Sequence, residues 1–259
     1  IYELYAPWGV MFYESDNPDA LESVMKRFLL IGEKRGSNLL TGAALDGMSD
    51  VCMARNQFTE GLEYAKNALS YLKTSGNIPA QMSALIHRGV FLYMLNGFAP
   101  SQKSFQETLV LGEGREDKAS LYFQGNANYQ MATALTGMGF PEQALTYAEK
   151  SLHFMRLSKS SYGPILPYSI SSLAYYFWGN YEKGREHGLK GIVIATQTDS
   201  WRMMGYASVH TAMNETELVS FDAAWKHAQK AIELGNKYKH TEIESMGYKA
   251  LGDIYSRLD

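Results

Sequence analysis

One phrase recurs along the chain at a nearly fixed interval, and that interval constrains the fold more than any other feature. The phrase is an aromatic residue, two or three intervening positions, a small residue, and then a helical run closing on a small and an aliphatic residue. It runs through Phe58, Gly61, Ala65, Ala68 and Leu69, and again through Phe140, Ala144, Ala148, Ser151 and Leu152. It returns as Tyr181, Gly184, Gly188, Gly191 and Ile192, and as Phe221, Ala224, Ala228, Ala231 and Ile232. Weaker copies run from Phe98 to Leu109 around Ser101 and from Asp19 to Phe28 around Ala20. The small residue marks the register at 20, 61, 101, 144, 184 and 224, with spacings of 41, 40, 43, 40 and 40. A unit of this length cannot bury its apolar face alone and stacks on its neighbours. The 259 residues therefore read as one repeating body spanning 1–259.

Within each copy the small residues recur every three or four positions, so they share one face of a helix and admit a neighbouring helix closely. Gly61, Gly184, Gly188 and Gly191 stand where Ala would favour a helix by up to about 1 kcal/mol each, and close packing is the compensation. Upstream of these helices lie second helical segments rich in Leu, Met, Ala and Tyr, over 40–55, 80–95, 119–137, 164–178 and 202–217. Turn residues at Asn96, Gly97, Gly139, Gly179 and Asn180 separate the two kinds of segment, as at a helix C-terminus followed by a tight connection. Strand signals are nearly absent, and Gly191 to Thr196, though β-branched, keeps the helical register. The expected class is all-α. Its hairpins cover about 1–36, 37–77, 78–117, 118–161, 162–199 and 200–239, followed by an unpaired helix over 241–258. That last helix, with a start that is not Met, leads us to expect a piece of a longer protein.

The final segment, with Leu251, Gly252 and Tyr255, resembles the first helix of a tetratricopeptide repeat (TPR), which carries Leu-Gly with Tyr three residues on. Arg88, Gly89 and Leu92, Ser49 and Cys52, and Ala132 and Leu135 stand in the corresponding places of other repeats. The period near 40 is similar to that of the helical arms of large bacterial signalling ATPases, such as LuxR-type ATP-dependent transcriptional activators, and of adenylate or guanylate cyclases. The resemblance implies a right-handed α-solenoid of about six hairpins plus a final helix, with the first helix of each hairpin lining a concave face.

Charge and motifs narrow the function. With 24 basic against 27 acidic residues and a net charge of −3, the chain lacks the footprint of a nucleic-acid or anionic-membrane binder. A single cysteine, Cys52, expected in the core, leaves no internal disulfide and no thiolate cage, and fits a reducing, cytoplasmic location. Neither a phosphate-cradling loop nor a metal-binding or nucleophile motif is present. His87, His153, His187, His210, His227 and His240 are dispersed over the repeats. Asp46 and Asp50 stand one helical turn apart, a spacing open to acid–base work, but a solvated helix face is the expected reading. No catalysis, cofactor or metal is expected.

What remains is the face lined by the first helices. The register assigns to it Tyr5, Asp46, Asp50, Ile86, Val90, Tyr93, Asn126, Tyr129 and Thr133. It continues with Ser169, Leu173, Tyr176, Tyr206, Val209 and Met213, and ends at Lys249 and Asp253. This set is neutral and rich in Tyr, whose flat ring and hydroxyl suit an apolar peptide or a small neutral effector. The expected function is a non-catalytic interaction or sensor module in a bacterial signalling protein, binding a protein, peptide or small effector. The rivals are a pure scaffold and a self-association module that pairs copies of the chain. An enclosed Tyr-lined pocket would mark an effector site, and an open groove a scaffold.

Overall fold

A computed structural model describes residues 17–258. Twelve helices follow one another: α1 (Pro18–Arg35), α2 (Asn38–Ala54), α3 (Phe58–Ser75), α4 (Ile78–Met94), α5 (Phe98–Gly112) and α6 (Lys118–Gly137). Then come α7 (Pro141–Leu157), α8 (Ile165–Trp178), α9 (Tyr181–Gln197), α10 (Trp201–Glu217), α11 (Phe221–Lys237) and α12 (Thr241–Leu258). No strand occurs among the described residues. The even-numbered helices from α2 on are the first helices of hairpins, and the odd-numbered ones are the second.

The punctuation is local chemistry. Asn17, Ser37, Asn77 and Asn180 cap their helices by accepting from the backbone N–H three residues on, at 3.0, 3.3, 3.0 and 3.3 Å. The hairpin turns are alike in five repeats. Asn56, Asn96, Gly139, Gly179 and Val219 all take positive φ, and the next N–H reaches back five residues, from Gln57 to Cys52 (2.8 Å) through to Ser220 to Glu215 (2.9 Å). This is the left-handed helix stop that satisfies the orphan carbonyls. Four of the five residues are Asn or Gly, which tolerate the conformation, whereas Val219 is β-branched.

The chain divides into two compact units, one ending at Gln130 and the other beginning at Met131, within α6. In the first, α1 packs on α2, α2 on α3, α3 on α4 and α4 on α5, and α2 also touches α4. In the second, each helix from α7 to α12 packs on the next, and the first helices α8, α10 and α12 touch in order. Cys52 is buried with Leu62, Ala65 and Phe91 as expected, and burial, followed by Glu60, pushes its thiol up to about 11.

A small residue recurs at one register of the first helices: Ser49, Gly89, Ala132, Ser172 and Ala212 are all buried. The second helices carry buried Ala65, Phe105, Ala148, Gly188 and Ala228 at a matching register, and contact is direct where Phe105 meets Gly89 and where Gly188 meets Ser172. Sizes compensate across this contact, because the bulky Phe105 lies over Gly89, where any Cβ would run into its ring. Gly252 of α12 is the sixth member of the first-helix series, and a Cβ there meets open space.

This geometry predicts opposite signs for the same substitution at Gly89 and Gly252. Gly89→Ala lowers stability by about 1–2 kcal/mol, because overpacking against Phe105 outweighs the helix propensity gained. Gly252→Ala raises it by up to about 1 kcal/mol. Denaturant unfolding of both variants checks this pair of opposite signs. Val219→Gly relieves the left-handed valine and stabilises by about 1 kcal/mol, read in the same assay.

Candidate functional site

The first helices meet along polar contacts one repeat apart. In the first unit, Asp46 of α2 is buried at 1% exposure, accepts from Ser83 Oγ at 2.7 Å and lies 2.8 Å from His87 Nδ1. Asp50, one turn on, lies 3.0 Å from His87 Nε2. Both ring nitrogens thus face carboxylate oxygens, an arrangement that an imidazolium satisfies and a neutral ring does not. Burial opposes the charge, but Asp50 and Asp46 outweigh it and hold His87 well above its usual value. The expectation of a solvated acidic face at Asp46 and Asp50 is therefore corrected. Asp46 is interior because His87, 41 residues on, supplies its counter-charge, and Asp50 is half-buried beside it.

The second unit repeats the spacing with neutral groups. His210 Nδ1 lies 3.1 Å from both Oγ and the carbonyl oxygen of Ser169, and Asn214 Nδ2 donates to the Ser172 carbonyl at 3.1 Å. Burial drives His210 down to about 4, so it stays neutral. Glu215, next in line, is pushed up to about 7 by burial, which Arg185 offsets only in part.

The remaining residues assigned to the first-helix face differ in where they lie. Ile86 and Val209 are buried in apolar clusters and Ser169 is held by His210, so none of these three lies open; their side chains face the neighbouring helices. Val90 packs half-buried on the first unit's core, and Tyr93 sets its ring edge-on to Phe98 at 5.5 Å. Asn126, Tyr129, Thr133 and Leu173 are half-buried on α6 and α8, with Asn126 accepting from Gln130 at 3.4 Å. Tyr206 donates to Glu242 at 2.7 Å. Tyr5 lies outside the described residues.

Four of the assigned residues come together. Tyr176 of α8, Met213 of α10 and Lys249 and Asp253 of α12 line one concavity of about 300 Å³, with Thr216, Glu217, Ala250, Ser256 and Arg257. The Tyr176 ring and Met213 give it an apolar wall. Arg257 Nη2 donates to Glu217 Oε1 at 2.5 Å, neutralising one pair. Burial raises the Tyr176 hydroxyl's pKa, and Glu217 and Asp253 add to the rise. Lys249 and Asp253 are exposed, and neither has an ion-pair partner among the described residues. Sequence reasoning missed Glu217 and Arg257. Their 40-residue separation, one repeat period with opposite charges, was the available signal.

No protein-family model matches the chain, and no curated protein sequence does. Solved structures do. A Rap protein complexed with Competence and Sporulation Factor superposes with a TM-score of 0.69 at 15% identity, over 85% of this chain and 63% of its own. The APC/C hetero-tetramer Cut9–Hcn1 gives 0.51 at 11%, over 97% and 48%. A signal transduction ATPase with numerous domains and a tetratricopeptide repeat sensor, from Pyrococcus horikoshii, gives 0.54 at 16%, over 95% and 44%. The chain thus spans about half to two thirds of the length of these proteins. At such identities the likeness establishes the fold, and the fold is an all-α, tetratricopeptide-like solenoid repeat. Among the described residues, no helix is long and apolar enough to cross a membrane, and no group of three or more His, Cys, Asp or Glu is placed to hold a metal ion.

The His87 clamp makes a pH prediction. A histidine whose folded pKa is raised contributes stability that is fully present below its unfolded value near 6.5. That contribution is lost as pH rises through the folded value. Amide hydrogen exchange in α2 and α4 should therefore accelerate relative to α12 above about pH 6.5. His87→Gln should abolish that difference.

Proposed function

We propose that the chain is a non-catalytic partner-binding module whose recognition surface is the first-helix face, anchored at the concavity between Tyr176, Met213, Lys249 and Asp253. The observation that carries this reading is the composition of that concavity. A half-buried aromatic ring and a thioether stand beside one free cation and one free anion, a combination suited to a peptide segment with its mixed apolar and polar groups. The α12 wall is solvent-exposed at Lys249, Asp253, Ser256 and Arg257. An extended segment of a protein or peptide fits such an opening better than an enclosed small effector does. The charges in the concavity cancel, so a strongly anionic ligand gains little there. Two of the structural neighbours were solved with a partner, a Rap protein with Competence and Sporulation Factor and Cut9 with Hcn1. A third carries its tetratricopeptide repeat as a sensor in a signalling ATPase. By that analogy the chain serves as the regulatory region of a cytoplasmic bacterial signalling protein, and partner binding biases the state of an attached domain.

A displayed peptide library selected against residues 1–259 tests the reading. Selected peptides should bind Tyr176→Ala and Met213→Ala variants about tenfold more weakly by fluorescence anisotropy, the loss expected for an anchoring side chain. Unchanged affinity in variants whose circular dichroism matches the parent chain would overturn it.

A further inference from the structure

One buried position of the first helices breaks its own pattern. Three residues past the small one, these helices carry Cys52, Leu135 and Tyr175 at 2, 5 and 8% exposure, and Leu92 half-buried. α10 places Glu215 there, at 4%. A carboxyl thus occupies a place that thiol, aliphatic and phenol side chains fill in the other repeats. Its Oε2 atom is enclosed and has no hydrogen-bond partner. His227 Nε2, on the following helix α11, lies 3.8 Å from that oxygen, close enough to sense its charge but too far for a hydrogen bond.

Neither group is favoured as an ion where it stands. Burial pushes the Glu215 carboxyl up to about 7 from an ordinary value of 4.5, against Arg185 of α9, and burial lowers His227. The other helices packed on α10 are α8 and α12. Near this stretch they present Tyr176 and Arg257, which answer to Glu217 and not to Glu215. Packed, the pair is therefore a protonated acid beside a neutral imidazole. Once water reaches both groups their ordinary values return, near 4.5 for the carboxyl and near 6.5 for the imidazole. Between those values the pair keeps one proton in either state, on oxygen when buried and on nitrogen when hydrated.

We propose that Glu215 and His227 form a proton latch between α10 and α11: one proton serves both groups, resting on Glu215 while the helices are packed and passing to His227 when they part. The step breaks the O–H bond of the carboxyl and forms an N–H bond at His227 Nε2, so solvent neither gains nor loses a proton. Repacking expels water and returns the proton to oxygen. Each partner cancels the pH response that the other would impose alone. A carboxyl protonated only when buried makes packing weaken as pH rises, and an imidazole kept neutral by burial makes it weaken as pH falls. The latch thereby steadies, through the weakly acidic range, the turn of α10 whose next residues, Thr216 and Glu217, line the concavity.

Amide protection factors of α11, corrected for intrinsic exchange and measured on the full chain at pH 5.5 and 6.5, test the latch. In His227→Gln the opening constant should rise about sevenfold over that interval, the change that values of 4.5 and about 7 impose on a carboxyl without a proton acceptor. In Glu215→Gln it should fall, and in the parent chain it should rise by less than in His227→Gln. A parent-like slope in His227→Gln, or a rise in Glu215→Gln, would overturn the proposal. Should either variant fail to fold, the carbon-13 shift of the Glu215 carboxyl in the parent chain decides: a midpoint near 7 supports the latch, and one near 4.5 sinks it.

Discussion

The structure depends on how closely two helices approach at one point in each hairpin. Gly89 and Ser172 keep the first helix thin where Phe105 and Gly188 of the second meet it, and the same register holds buried Ser49, Ala132 and Ala212 on other first helices. The sum of the two sizes is constrained rather than either size alone, as Phe105 over Gly89 shows. Glycine lowers helix propensity, and the shorter interaxial distance returns dispersion contacts along the whole length of both helices.

Between first helices of successive repeats, polar groups meet one period apart, which makes them a register device. Asp46 with His87, Ser169 with His210 and Ser172 with Asn214 are separated by 41, 41 and 42 residues. A repeat with uniformly apolar contacts would tolerate slipping by a turn, whereas a buried carboxylate whose acceptors match one histidine and one serine would be left unsatisfied by the slip. The two units solve the problem differently. The first buries a charged clamp, whereas the second pairs neutral amide, hydroxyl and imidazole groups, keeps His210 uncharged and takes its own pH dependence from the raised carboxyl of Glu215.

The fold was largely legible because its signals are local and repeated. The small residues at 61, 144, 184 and 224 and the turn residues at 96, 139 and 179 fixed helix type, pairing and boundaries to within a few residues of those observed. The face assignment was legible only in part. A linear register locates Tyr176, Met213, Lys249 and Asp253 along one concavity, but it treats a helix face as a line. Ile86 and Val209 sit close enough to the seam between helices to be drawn into it, since apolar side chains lean toward the neighbouring helix. Asp46 misled for a related reason. Charge at helical spacing reads as a solvated face unless its partner is known, and His87 is local in space but a whole repeat away in sequence. Glu217 and Arg257 escaped for the same reason.

The concavity draws its lining from three successive first helices, Tyr176 on α8, Met213 on α10, and Lys249, Asp253 and Arg257 on α12. In a repeat whose elements touch only near neighbours, stability is a sum of local terms, so the lining from α12 stays in place through the contacts of that helix with α11 and α10. A ligand in the concavity needs α12 in place as much as it needs Tyr176 and Met213. Its binding is therefore linked to the local opening of α12, and an occupied concavity raises the free energy of that opening by the differential affinity of the ligand for the closed helix.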